Sequence, residues 1–80
     1  MNRNEFLEAV AESLEVDLSL VEIHLSLGDL PEWDSLGHLT MLTFLDEKTQ
    51  DKASEIRGIG SMESLNEIWE ALVEAGLGHD

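Results

Sequence analysis

A chain of 80 residues without cysteine holds one small domain, with no disulfide or thiolate metal site to support it. Eighteen acids against four bases give a formal charge of −14, which argues against nucleic acid and anionic membranes as direct partners. No apolar run approaches the roughly 20 residues of a membrane span. Met1-Asn2-Arg3-Asn4-Glu5 lacks a leader's apolar core, so a soluble cytoplasmic protein is expected.

The first helix is predicted over about residues 3–15. Asn2 with Glu5 three residues on has the form of a capping box. Phe6, Leu7, Val10, Ala11 and Leu14 recur at helical spacing and form one apolar stripe. Glu5, Glu8, Glu12 and Glu15 form the other face, read as solvated and not as a metal site.

Residues 16–34 form a long connection. It is too apolar for a free linker, since Val16, Leu18, Leu20, Val21, Ile23, Leu25, Leu27 and Leu30 all need cover. The expectation is a segment lying across a helix bundle, with a single turn starting near Ser19. Gly28-Asp29 and Pro31 mark further turns. A connection of this length in a compact domain is usually functional.

The second helix is predicted over about 35–48. Asp34 suits the N-cap, because its side chain can accept from unpaired first-turn N–H groups. Ser35 then takes the first helical position, at the positive end of the helix, where an attached anion is tolerated. Leu39, Met41, Leu42 and Leu45 are the expected core contacts. Gly37 weakens the first turn by up to about 1 kcal/mol relative to alanine. It either leaves space beside Ser35 or is a tolerated accident. Trp33 reads as a packing anchor more readily than as a partner-recognition aromatic.

A short third helix is predicted over about 53–57, anchored by Ile56 and Ile59 and broken by Gly58-Ile59-Gly60. The last helix is predicted over about 62–75, capped by Ser61. Leu65, Ile68, Trp69, Leu72 and Val73 form its apolar stripe, and Gly76 is its stop. The resulting fold class is all-α, a small four-helix bundle in a single domain over 1–80.

Leu27-Gly28-Asp29-Leu30 and Trp33-Asp34-Ser35-Leu36 through Leu42, in a small and very acidic chain, resemble the acyl and peptidyl carrier proteins. Helix spacing and loop length fit as well, so the resemblance covers nearly the whole chain. It implies an acyl-carrier type bundle with a long first loop and a short third helix. It implies that Ser35 carries a phosphopantetheine arm, whose thiol holds acyl or aminoacyl groups as thioesters. Coenzyme A donates that arm, with magnesium, on a phosphopantetheinyl transferase, and Asp34 assists by helping to position the metal and coenzyme A. The other implied partners are acyl- or aminoacyl-activating ligases or synthases with basic patches. A free-standing monomer is expected, with chemistry left to the cofactor and the partner enzymes.

Leu36, Thr40, Thr43 and Glu47 follow the helical repeat after Ser35, and Asp46 adds charge beside them. These five residues form the expected partner surface. Typical fatty-acid carriers resemble one another in having an acidic residue early on this helix and then an exposed methionine. Thr40 and Thr43 stand at those places here, which points to a carrier in a specialised biosynthetic pathway.

Three other readings compete. An acidic adaptor would use the same charge without modification. A serine hydrolase would need His38 as base for Ser35, but nothing like a nucleophile elbow surrounds the serine. Metal binding has no support in ligand spacing, since no run fits a calcium loop and His24, His38 and His79 are scattered.

Overall fold

The capping box at Asn2 starts the first helix as its sequence predicts. In the computed structural model, which describes residues 1–79, α1 spans Arg3–Leu14. The Asn2 side chain accepts from the Glu5 N–H at 2.8 Å, and the Glu5 carboxylate accepts from the Asn2 N–H at 2.8 Å. Phe6, Ala9, Val10, Ala11 and Leu14 are buried, and Leu7 packs at the margin.

The long connection carries a single 3-10 turn at Leu18–Leu20, capped by Asp17. Val21 is buried, and Val16, Ile23, Leu25, Leu27 and Leu30 pack against the core. Leu18 and Leu20 depart from expectation and remain exposed, on the turn itself. The connection is also stitched to the far end of the chain. The Leu27 N–H donates to the Glu63 carbonyl at 2.7 Å, and the Leu65 N–H to the Leu25 carbonyl at 3.0 Å. These bonds flank an isolated antiparallel bridge between Ser26 and Ser64.

That bridge corrects the start of the last helix. Met62 and Glu63 are not helical, since Glu63 offers its carbonyl to Leu27. Ser64, not Ser61, is the N-cap, and accepts from the Glu67 N–H at 3.1 Å. The helix, α3, runs Leu65–Glu74. Gly76, at φ +80°, ends it: the Leu77 N–H donates to the Leu72 carbonyl at 2.8 Å and the Gly76 N–H to the Val73 carbonyl at 3.0 Å. A left-handed residue closed by these two bonds satisfies carbonyls the helix leaves open. The following residues are held as well. The Met1 amine donates to the Leu77 carbonyl at 2.9 Å, and the His79 N–H to the Met1 carbonyl at 2.9 Å.

The second helix, α2, spans Ser35–Lys48, with Asp34 as its cap. It ends where Thr49 donates to the Leu45 carbonyl at 2.8 Å and accepts from the Ala53 N–H at 2.9 Å. Gln50 and Asp51 then take positive φ, turning the chain back along the helix.

The third predicted helix is not an α-helix. A 3-10 turn, Ala53–Glu55, lies within its span, and a second, Ile59–Ser61, follows it. Ile56 is extended at the end of the first turn and Gly58 is left-handed before the second, so no helical ladder passes between them. Ala53 and Ile59 anchor the segment in the core and Ile56 packs at its margin. The chain is therefore a small all-α fold of three α-helices and short 3-10 turns, with no named strand among the described residues.

The core joins all three helices and the connection: Phe6, Val10, Trp33, Met41, Leu45, Leu65, Ile68 and Leu72 are fully buried. The Phe6 and Trp69 rings tie α1 to α3, with centroids 5.3 Å apart. Leu39, expected in this core, is 63% exposed, and His38 faces inward in its place. Apolar residues lie all round α2, so spacing alone could not choose its buried face.

Gly37 has a packing reason that neither sequence reading supplied. A Cβ there would collide with the Glu32 carbonyl oxygen and lie 3.1 Å from Leu14 Cδ2. The glycine lets the end of the connection and the end of α1 close onto α2. Gly37→Ala should therefore destabilise the protein by about 1–3 kcal/mol, the usual cost of overpacking. Helix propensity alone would favour alanine by about 1 kcal/mol. Urea denaturation gives the sign, and a gain in stability would show that Glu32 moves aside freely.

Candidate functional site

The junction at Trp33–Ser35 is built from the two sides of one tryptophan. Trp33 is fully buried, and its indole N–H donates to His38 Nδ1 at 3.1 Å. The rings lie near-parallel, 28° apart, with centroids separated by 6.1 Å. An indole nitrogen only donates, so Nδ1 must be the acceptor and the imidazole proton sits on Nε2. Nε2 lies 3.3 Å from the Gly60 carbonyl. His38, 7% exposed, thus joins the end of the connection to the Ile59–Ser61 turn.

One residue beyond Trp33, the chain emerges. Asp34 is exposed and accepts from the Gly37 N–H at 2.8 Å through Oδ1, which leaves its second carboxylate oxygen uncommitted. Its carbonyl accepts from the His38 N–H at 2.8 Å, the first bond of the helix. Ser35 follows at the first helical position, exposed, and no described residue hydrogen-bonds its hydroxyl. The result is an accessible hydroxyl on a rigid support, beside a carboxylate, at the positive end of a helix of 14 residues.

Leu36 is 73% exposed and shares the outer face of α2 with Leu39, Thr40, Thr43 and Glu47. Thr43 and Glu47 are exposed, and Thr40 is half-buried. Both threonine hydroxyls are turned inward: Thr40 donates to the Leu36 carbonyl at 3.1 Å and Thr43 to the Leu39 carbonyl at 3.0 Å. The face therefore offers methyl groups and leucines more than hydroxyls. Asp46 is half-buried and accepts from the Ser54 N–H at 2.9 Å, so this charge also holds the Ala53–Glu55 turn. The site residue missed in the sequence is Leu39. Its only sequence signal was Leu36 three residues earlier, which core packing explained equally well.

A cavity of about 250 Å³ opens between α2 and the two 3-10 turns, lined by Leu42, Ala53, Ser54, Ile59 and Gly60. Leu42 is seven residues from Ser35, which is two helical turns and about 10 Å along the same side of α2. A larger cleft, about 520 Å³, has Lys52, Arg57, Met62 and Leu77 among its lining but no residue of α2.

Among the described residues, no group of three or more His, Asp or Glu side chains could hold a metal ion. No described helix is long and apolar enough to cross a membrane. No protein-family model, curated protein or solved structure matches the chain.

Capping and chemistry at Asp34 can be separated by substitution. Asp34→Ala should cost about 1 kcal/mol, whereas Asp34→Asn, which caps comparably, should change stability by only a few tenths. Thermal melts of the two variants check this. Equal losses would mean that the carboxylate charge, and not the cap bond, stabilises the junction.

Proposed function

We propose that the protein is an acyl carrier, with a phosphopantetheine arm on Ser35 that holds acyl or aminoacyl groups as thioesters. The observation that carries this reading is the exposed, unengaged Ser35 hydroxyl, fixed at the start of α2 beside Asp34. The residues fit the arm. A phosphodiester at Ser35 would meet the helix's positive end and need displace no hydrogen bond. The uncommitted oxygen of Asp34 is available to magnesium during attachment. The thiol chemistry is the arm's; the protein tethers it and thereby raises the cargo's effective concentration at each partner.

The apolar cavity beside Leu42 adds support, since it lies along α2 on the side that carries Ser35 and could shelter a short acyl chain. In this reading the turns at Ala53–Glu55 and Ile59–Ser61 stand where the family's short third helix would be. The transferase and cargo-activating ligases or synthases with basic rims are the proposed partners. They dock a cytoplasmic monomer in a specialised biosynthetic pathway, over Leu36, Leu39 and the Thr40–Thr43 face. Glu47 and the overall charge of −14 steer them. Asp46 contributes field, although its carboxylate is engaged by Ser54.

The exposed leucines beside Glu47 also suit an unmodified acidic adaptor, and the same experiment distinguishes it. The hydrolase reading lacks a base, because both nitrogens of buried His38 are directed at Trp33 and Gly60.

Apoprotein incubated with coenzyme A, magnesium and a broad-specificity transferase should gain the mass of one arm, located on Ser35 by peptide mapping. Ser35→Ala should abolish the gain and alter stability by less than about 0.5 kcal/mol. Asp34→Asn should slow attachment markedly while leaving the fold intact. Absence of any gain with several competent transferases would favour the adaptor.

Leu36→Ala and Leu39→Ala should each lower the attachment rate while costing little stability, as exposed residues do. Losses of 2–5 kcal/mol, roughly those of a buried leucine, would place them in the core.

A further inference from the structure

We propose that His38 is a positioning residue that couples occupancy of the Leu42–Gly60 cavity to the conformation of the Ser35 junction. The proposal rests on the carrier reading for the identity of the occupant, an apolar acyl chain. It does not rest on it for the coupling itself. His38 is the side chain bonded at both places. Its Nε2 faces the carbonyl of Gly60, a wall of the cavity, at 3.3 Å. Its Nδ1 accepts at 3.1 Å from Trp33, which is followed directly by Asp34 and Ser35. The imidazole is rigid, so a displacement felt at one nitrogen is delivered to the other.

The two ends differ in firmness. The Trp33 ring is fully buried, whereas Gly60 is exposed, on a turn of three residues, and its contact with Nε2 is near the long limit for a hydrogen bond. A chain entering between Leu42 and Ile59 would push on the turn and not on α2. His38 must then follow the Gly60 carbonyl or give up that contact. Following it tilts the ring against the Trp33 N–H, and the strain reaches the peptide that leads into Asp34. Coupling of this kind is reciprocal. A partner that grips the Ser35 junction would alter how firmly the cavity holds its chain. That gives partner enzymes a means of sensing a sheltered cargo and of drawing it out.

The test uses the intact ¹⁵N-labelled protein, compared with the bare arm and with an octanoyl thioester on the arm. The indole resonance of Trp33 reports the relay, and that of Trp69, which packs on Phe6, is the reference. Loading should shift the Gly60 amide, the Trp33 indole and the Ser35 amide together, and leave the Trp69 indole in place. In His38→Leu the Gly60 amide should still shift while Trp33 and Ser35 stay still. His38→Gln, which keeps one acceptor and one donor, should restore part of the response. If His38→Leu fails to fold, Trp33→Phe cuts the relay at its other end; it removes the indole reporter as well, and should silence the Ser35 amide while the Gly60 amide still shifts.

A failure of the carrier reading shows separately, as no mass gain at Ser35. The relay is then read by filling the cavity with Leu42→Phe in the unmodified protein, with and without His38. Co-shifts of Gly60 and Trp33 that persist without His38 would overturn the proposal. So would a shift of Gly60 that never reaches Trp33 in the wild type.

Discussion

The hydrogen bond from the Trp33 indole to His38 is the constraint on which the candidate site depends. A buried tryptophan needs a partner for its N–H, and a buried imidazole needs partners for two nitrogens. Each supplies what the other lacks at 3.1 Å, and the Gly60 carbonyl completes the set at 3.3 Å. Because the pair is satisfied internally, the connection can bury Trp33 fully and still surface one residue later at Asp34. That abrupt exit is what leaves the Ser35 hydroxyl in solvent on an immobile base. Gly37 serves the same end from the opposite side, by admitting the Glu32 carbonyl against the first turn.

Much of the fold was legible because its signals are local. The Asn2–Glu5 box, the Asp34 cap and the Gly76 stop each rest on residues within a few positions of one another, and α1 and α2 start where those signals say. The third and last helices were less legible because distant chain decides them. Nothing near Ser61 announces that Glu63 and Leu65 will bond the backbone of residues 25–27 and postpone the helix to Ser64. Ala53–Arg57 is too short to hold a helix by itself, and it forms a single 3-10 turn pinned by Asp46 and Thr49.

The site divides along the same line. Asp34 and Ser35 stand out in sequence because a cap and the residue after it are local facts. The inward turn of His38 is not a local fact, since it depends on the Trp33 indole and the Gly60 carbonyl. Leu39 reads as a core residue on apolar character alone, yet it is 63% exposed. With His38 inside, Leu39 stands out beside Leu36, and two exposed leucines share the face with Thr43 and Glu47.

α2 is fastened at both ends. Trp33, Glu32 and Leu14 hold its first turn, and Thr49 and Asp46 lock its last turn to the segment that follows. A helix so held loses little backbone freedom when a partner docks on it. The ordering cost of association then falls mainly on the side chains of Leu36 and Leu39, at about 0.5–1.5 kcal/mol for each rotamer-rich side chain immobilised. A contact of given area on this face therefore yields more affinity than it would on a helix that had to be ordered first.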